Sequence, residues 1–169
     1  MKAAIVLGAR QALCTAKHPH QKAMAERLGA SVLPGTEQEA VERDTKAATD
    51  DMGADVVVET VGGVSDTTEA ALRAVRKGGT VMLVGAYPQS LEVSLSTAIF
   101  CEIRIIGSNC YSAMDGERDF HVCIRAMASG EARLMPLVTH TFPLEHIGEA
   151  MRAALDKTIG AIKVQIVFP

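Results

Sequence analysis

The order of elements along this chain predicts an α/β protein built on a doubly wound, parallel sheet. Two short apolar runs, Val56-Val57-Val58 and Val81-Met82-Leu83-Val84, end at Gly62 and Gly85, the pattern of strands buried on both faces of a parallel sheet. The segment between them has the spacing and end signals of a helix. No repeat, low-complexity tract or long linker interrupts the alternation, so strand, helix and strand follow one another as a doubly wound sheet requires.

Each element has a local reason. Pro19 suits the first turn of a helix that ends at Leu28-Gly29, and Thr36-Glu37-Gln38-Glu39 reads as a capping box opening a helix toward Met52. Both precede short strands, at residues 31–33 and 55–60. Residues 66–77 read as the next helix: Ser65 or Asp66 caps it, and Thr68, Leu72 and Val75 share a face. Arg76-Lys77 then complement its negative end before Gly78-Gly79 stops it. A strand follows at residues 103–106. Phe120, Cys123, Ile124 and Met127 form the apolar stripe of a helix closed by Gly130. The tail reads as a strand at 137–141, a helix from Pro143 to about Asp156 with Ile147, Met151 and Leu155 inward, and a strand at 162–168. Ligands of such sheets bind beyond the carboxyl ends of strands, which directs attention to residues 15–18, 60–63, 85–87 and 107–109.

Composition narrows the function. The chain has 169 residues, 48% of them apolar, with a net charge of −3. A domain of this size buries roughly 70% of its unfolded surface and needs no metal or disulfide staple. Without a basic excess it is not built to capture nucleic acid or anionic lipid. The short apolar runs and the absence of a signal-peptide pattern point to a cytoplasmic protein without a membrane span. Cys14, Cys101, Cys110 and Cys123 have no CxxC spacing, so buried reduced thiols are expected rather than a zinc ribbon or redox pair.

The segments GADVVVETVGG, LRAVRKGGTVMLVGAYPQ, IRIIGSN, LVTHTFPLEHIGEAMRAA and GAIKVQIVF, in that order, resemble the nucleotide-binding half and C-terminal tail of the zinc-dependent medium-chain alcohol, polyol and threonine dehydrogenases. The resemblance runs from about Gly8 to the end. It implies a Rossmann-like domain over residues 1–136, truncated at its first strand, with 137–169 as a tail packed on it. It also implies an NAD or NADP cofactor, bound weakly here, and descent from enzymes that move hydride between an alcohol and nicotinamide. The alternative is a non-catalytic nucleotide-binding or oligomerisation module; a methyltransferase-like Rossmann domain, which would take S-adenosylmethionine, is disfavoured because its own Gly-rich turn and ribose carboxylate are equally absent. Family members are about twice this length. Their other half carries the zinc ligands and proton relay, so zinc and catalytic residues are expected in relatives and not in this chain. Residues 3–9 align with the end of the helix that follows the family's GxGxxG turn, so the usual pyrophosphate cradle is lacking. The missing central strand would leave an open sheet edge, for which two repairs are expected: residues 2–7 extending to fill the gap, or association into a homo-oligomer.

Carried over by position, residues 12–16 match the strand whose end meets the adenosine ribose. Ala16 stands where NAD enzymes carry an acidic residue and is followed by Lys17, which points to NADP unless Lys17 is only a solvated loop residue. Val61 and Gly62 resemble the adenine-side contact, and Val84, Gly85 and Ala86 the residues lining the nicotinamide. Gly107, Ser108 and Asn109 match the next such position, and Lys163 the basic residue that reaches the pyrophosphate from the tail. Small residues let a flat ring approach backbone, although tight turns require glycine with or without a ligand. For Gly78 and Gly79 the turn is the preferred reading. His18 and His20 lack a third metal ligand, and His121 and His140 read as structural. Glu59 alternates out of a buried run and is expected to be tied to the backbone of a neighbouring turn rather than to act as a base.

Overall fold

The computed structural model describes residues 1–114 and 116–168. In chain order its helices and strands are α1 (Lys2–Val6), β1 (Leu13–Cys14), α2 (Pro19–Arg27), β2 (Ser31–Val32), α3 (Gln38–Ala47), β3 (Ala54–Glu59), α4 (Thr67–Ala74), β4 (Val75–Leu83), α5 (Leu95–Phe100), β5 (Arg104–Gly107), β6 (Ala113–Met114), β7 (Glu117–Arg118), α6 (Asp119–Ala128), β8 (Val138–Pro143), α7 (Ile147–Leu155) and β9 (Lys163–Val167). The chain divides into two compact units, residues 33–113 and residues 1–32 with 114–169.

The unit of residues 33–113 carries a three-stranded sheet in the order β3-β4-β5, parallel throughout. Helix α4 supplies its core. Leu72 is 1% exposed and Val81 not at all, and with Ala71 and Val75 they gather Val57, Leu83, Val93, Ala98 and Ile103. Removing a leucine side chain of this kind from water stabilises a fold by about 1.5–3 kcal/mol. Coverage is one-sided within this unit. In the register row Val58, Met82 and Ile106, which faces away from Val57 and Val81, Val58 and Ile106 remain exposed, as does Val56. The expectation of strands buried on both faces therefore fails for β3, because α4 covers only the side that Val57 and Val81 present.

Two local expectations are corrected here. Helix α4 ends at Ala74 rather than reaching Lys77, and Val75 already belongs to β4, paired with Ala54. Burying Val75 in the sheet core outweighs another helical turn. Arg76 then bonds Asp55 instead of complementing a helix end (Nε to Oδ1, 2.7 Å). Helix α3 begins after Glu37 without a side-chain cap, so the Thr36 capping box does not form.

In the other unit β1 and β2 form a parallel pair, and β8 and β9 a second one. Residues 2–6 are helical, as their alignment implies, and they do not extend into a strand. Ile5 packs on the small cluster of Ala12, Ala25 and Ala30, a contact that an extended segment would forfeit. Helix α7 turns Ala150 and Ala153 inward and leaves Ile147, Met151 and Leu155 exposed, opposite to the expected face. The small alanine side chains let α7 lie close to β8 and β9, its neighbouring strands. The predicted stripe of α6 exists but faces outward, with Phe120, Ile124 and Met127 exposed.

Candidate nucleotide-binding site

Parallel register brings three strand ends to one edge. Glu59, Leu83 and Gly107 are partners across β3, β4 and β5, so the turns that follow them stand side by side. This edge gathers Val61 and Gly62, Val84 to Ala86, and Gly107 to Asn109. Val61, Val84 and Ala86 are exposed, as are Gly107, Ser108 and Asn109. The remaining sequence candidates lie in the other unit: buried Ala16 and exposed Lys17 follow β1, and exposed Lys163 opens β9. The two units supply these groups separately.

The first two turns are pressed together. At Gly62, φ is +64°, and a Cβ there would stand 2.4 Å from the Ala86 carbonyl oxygen. One on Gly85 would lie 2.4 Å from the Gly62 nitrogen and 2.5 Å from Glu59 Oε2. Close turn-on-turn packing by itself therefore requires both glycines. Gly107 differs, since a Cβ there would meet nothing within 4 Å. Space beyond that strand end is open.

Glu59 organises the junction. Its carboxylate is buried and accepts from the Val61 N–H (2.7 Å), the Gly62 N–H (3.0 Å) and the Thr67 hydroxyl (2.8 Å). The Tyr87 hydroxyl donates to the second oxygen, Oε2, and is itself 3.0 Å from the Thr68 hydroxyl. The Glu59 backbone carbonyl accepts from the Val84 N–H (2.9 Å) and the Gly85 N–H (3.1 Å), and the Gly63 N–H reaches the Ala86 carbonyl (2.8 Å). Burial alone would raise the Glu59 pKa. The bonds from Tyr87, Gly62, Thr67 and Val61 outweigh it and hold the carboxyl below its ordinary value. Burial and the bond to Glu59 push the Tyr87 phenol up.

Glu59 thus has the structural tie to a neighbouring turn that its position suggested. Sequence reasoning missed Tyr87, Thr67 and Thr68, and the only signal was a carboxylate inside an apolar run. Chemically, the N–H groups of Val61, Gly62, Val84 and Gly85 are already engaged. What these turns present outward is apolar surface at Val61, Val84 and Ala86, suited to the face of a ring, with Ser108 and Asn109 as the exposed polar groups beside it.

The other polar candidates do not converge. The rings of His18 and His20 stack with centroids 5.4 Å apart, and His20 Nε2 is buried without a hydrogen-bond partner. His140 Nδ1 lies 3.0 Å from the Thr139 hydroxyl, and His121 is exposed. Burial raises the Cys14 pKa, whereas Cys110 and Cys123 are exposed, which corrects the expectation of four buried thiols. Among the described residues no group of three or more His, Cys, Asp or Glu stands together to hold a metal ion. No helix among them is long and apolar enough to cross a membrane.

Comparison with known proteins adds an independent line. Residues 1–129 match the family described as zinc-binding dehydrogenase. The sorbitol dehydrogenase of Bacillus subtilis (strain 168) is 30% identical over 165 residues, 97% of this chain and 45% of that protein. The L-idonate 5-dehydrogenase (NAD(P)(+)) of Escherichia coli (strain K12) is 28% identical over 96% of this chain and 44% of its own length. Among solved structures, the alcohol dehydrogenase TADH from Thermus sp. ATN1 superposes with a TM-score of 0.83 at 28% identity, covering 99% of this chain and 47% of that one. The chain spans less than half the length of these relatives, and its α/β architecture of parallel strands is that of their Rossmann-like domain.

Proposed function

The chain belongs to the zinc-binding dehydrogenase family, and from that premise we propose that it is the cofactor-binding portion of a cytoplasmic alcohol or polyol oxidoreductase. Residues 1–136 would hold a nicotinamide dinucleotide and residues 137–169 would pack on them as a tail. The carrying observation is the alignment of three parallel strand ends at Glu59, Leu83 and Gly107 beneath an exposed apolar edge. When bound, the cofactor supplies the hydride chemistry, and the part of this chain is to orient it. Val61, Val84 and Ala86 would carry the rings, with Gly107, Ser108 and Asn109 beside them. Ala16 and Lys17 would favour a 2′-phosphate, and Lys163 would meet the pyrophosphate.

Equilibrium titration with NADPH, NADH and S-adenosylmethionine tests the reading. Saturable binding of a nicotinamide nucleotide, with none of S-adenosylmethionine, supports it. The absence of either nicotinamide complex at millimolar concentration would reject it.

A second reading, a homo-oligomeric module, has its own observation. The β3 edge opposite β4 has no strand partner among the described residues, and Val56, Val58, Ile105 and Ile106 are exposed on the same sheet. Unpaired apolar edges recruit strands. Association and nucleotide binding are compatible.

A further inference from the structure

We infer that Glu59 is a positioning residue for cofactor binding, a buried carboxylate that locks the turn after β3 against the turn after β4 and so fixes exposed Val61 relative to exposed Val84 and Ala86. The inference rests on the nucleotide-binding reading above and adds to it a residue that touches no ligand. Glu59 works through two groups at once. Its backbone carbonyl holds the Val84 and Gly85 N–H groups, while its carboxylate holds those of Val61 and Gly62. Both turns are thereby registered to one residue. Two further contacts brace the carboxylate from different elements: Thr67 from the start of α4, and Tyr87 from the segment leaving β4. Ser65 completes the arrangement, its hydroxyl donating to the Gly62 carbonyl (2.8 Å) and lying 2.7 Å from that of Thr67.

Geometry makes the lock necessary. Both turns depend on glycine to approach so closely, and glycine leaves the backbone free to take other conformations. Two flexible turns without a tie would sample many relative positions, and a ring would have to order them on binding. Preorganisation removes that cost. A carboxylate suits the task because it accepts several N–H and O–H bonds at once and donates none. A glutamine retains one acceptor oxygen for Val61 and Gly62 and can offer its NH₂ to the Tyr87 oxygen, so it should preserve most of the lock. Alanine should not.

The test uses the full chain and the variants Glu59→Ala, Glu59→Gln and Tyr87→Phe, with folding checked by far-UV circular dichroism. Backbone amide exchange is measured by NMR, and affinity by titration with NADPH and NADH. Glu59→Ala should speed exchange at Val61 and Gly62 at least tenfold, leave Leu72 within twofold, and weaken nucleotide binding about tenfold. Glu59→Gln should restore both to within about threefold of wild type, and Tyr87→Phe should fall between. If Glu59→Ala does not fold, Tyr87→Phe carries the test through the same two readouts. Unchanged exchange at Val61 and Gly62 in these variants overturns the lock. Faster exchange with unchanged affinity overturns the positioning role alone and leaves the nucleotide-binding reading standing. A wild type that binds neither nucleotide overturns both.

Discussion

The Tyr87 hydroxyl donates to the buried Glu59 carboxylate across 28 residues of chain, joining the segment that leaves β4 to the last residue of β3. Each partner alters the other's proton affinity: Glu59 is held below the ordinary carboxyl value and Tyr87 is raised above the ordinary phenol.

These opposite shifts predict two limbs in the pH dependence of stability. Because the folded Glu59 pKa is depressed, the stability it contributes is present above the unfolded carboxyl value and is lost as pH falls through the folded one. Because the folded Tyr87 pKa is raised, its contribution is present below the unfolded phenol value and is lost as pH rises through the folded one. Thermal melts from pH 2 to 11 should therefore show a plateau with decline at each end. In Tyr87→Phe the acid limb should move to higher pH and the alkaline limb should shrink. Superimposable profiles for wild type and variant would contradict this account.

The glycines should separate into two groups. Gly62→Ala places a Cβ 2.4 Å from a carbonyl oxygen at φ +64°, and left-handed strain with overpacking should cost roughly 2–5 kcal/mol in urea denaturation. Gly107→Ala meets open space and should stay within about 0.5 kcal/mol of wild type. Under the proposed function it should still weaken nucleotide binding. Equal stability losses at the two positions would show that turn packing does not distinguish them.

Lys17 is exposed after β1, beside buried Ala16. If it meets a 2′-phosphate, NADPH should bind at least fivefold more tightly than NADH at low ionic strength, and added salt should narrow the gap. Lys17→Ala should erase the preference. A wild type that favours NADH at matched ionic strength would remove Lys17 from the site.

Exposed Val56 and Val58 on β3 predict self-association. Light scattering over a concentration series should show mass rising above that of the 17.9 kDa chain, and Val58→Lys should return it to monomer without loss of helix signal. Charged side chains are a common device for blocking strand edges. A wild type that stays monomeric at every concentration would defeat the second reading.

Much of this architecture was legible because its signals are local. Gly29 and Gly130 stand just past α2 and α6, where the sequence reads the helix stops, and the structure gives them left-handed backbone with φ of +89° and +80°. The strands at β3, β4 and β5 follow their apolar runs. Candidate site residues in the unit of residues 33–113 converge because parallel strands end on the same side. The lock itself was not legible beyond Glu59, since Tyr87 is an ordinary loop residue until the fold brings its hydroxyl back to β3.

The sequence by itself determined the alternation of strands and helices, the parallel sense of the sheet, the family and the positions of the strand-end turns. The alternation and the turns depend on periodicity and turn chemistry within a few residues, the parallel sense on the order of the elements, and the family on the resemblance that the ordered segments carry. Tertiary structure decided that α4 yields Val75 to the sheet, that α7 buries Ala150 and Ala153 rather than Ile147 and Met151, and that Glu59 meets Tyr87. Each of these outcomes is set by a partner distant in the chain, through space to fill or a buried donor to satisfy, and neither requirement is written in the pattern of neighbouring residues.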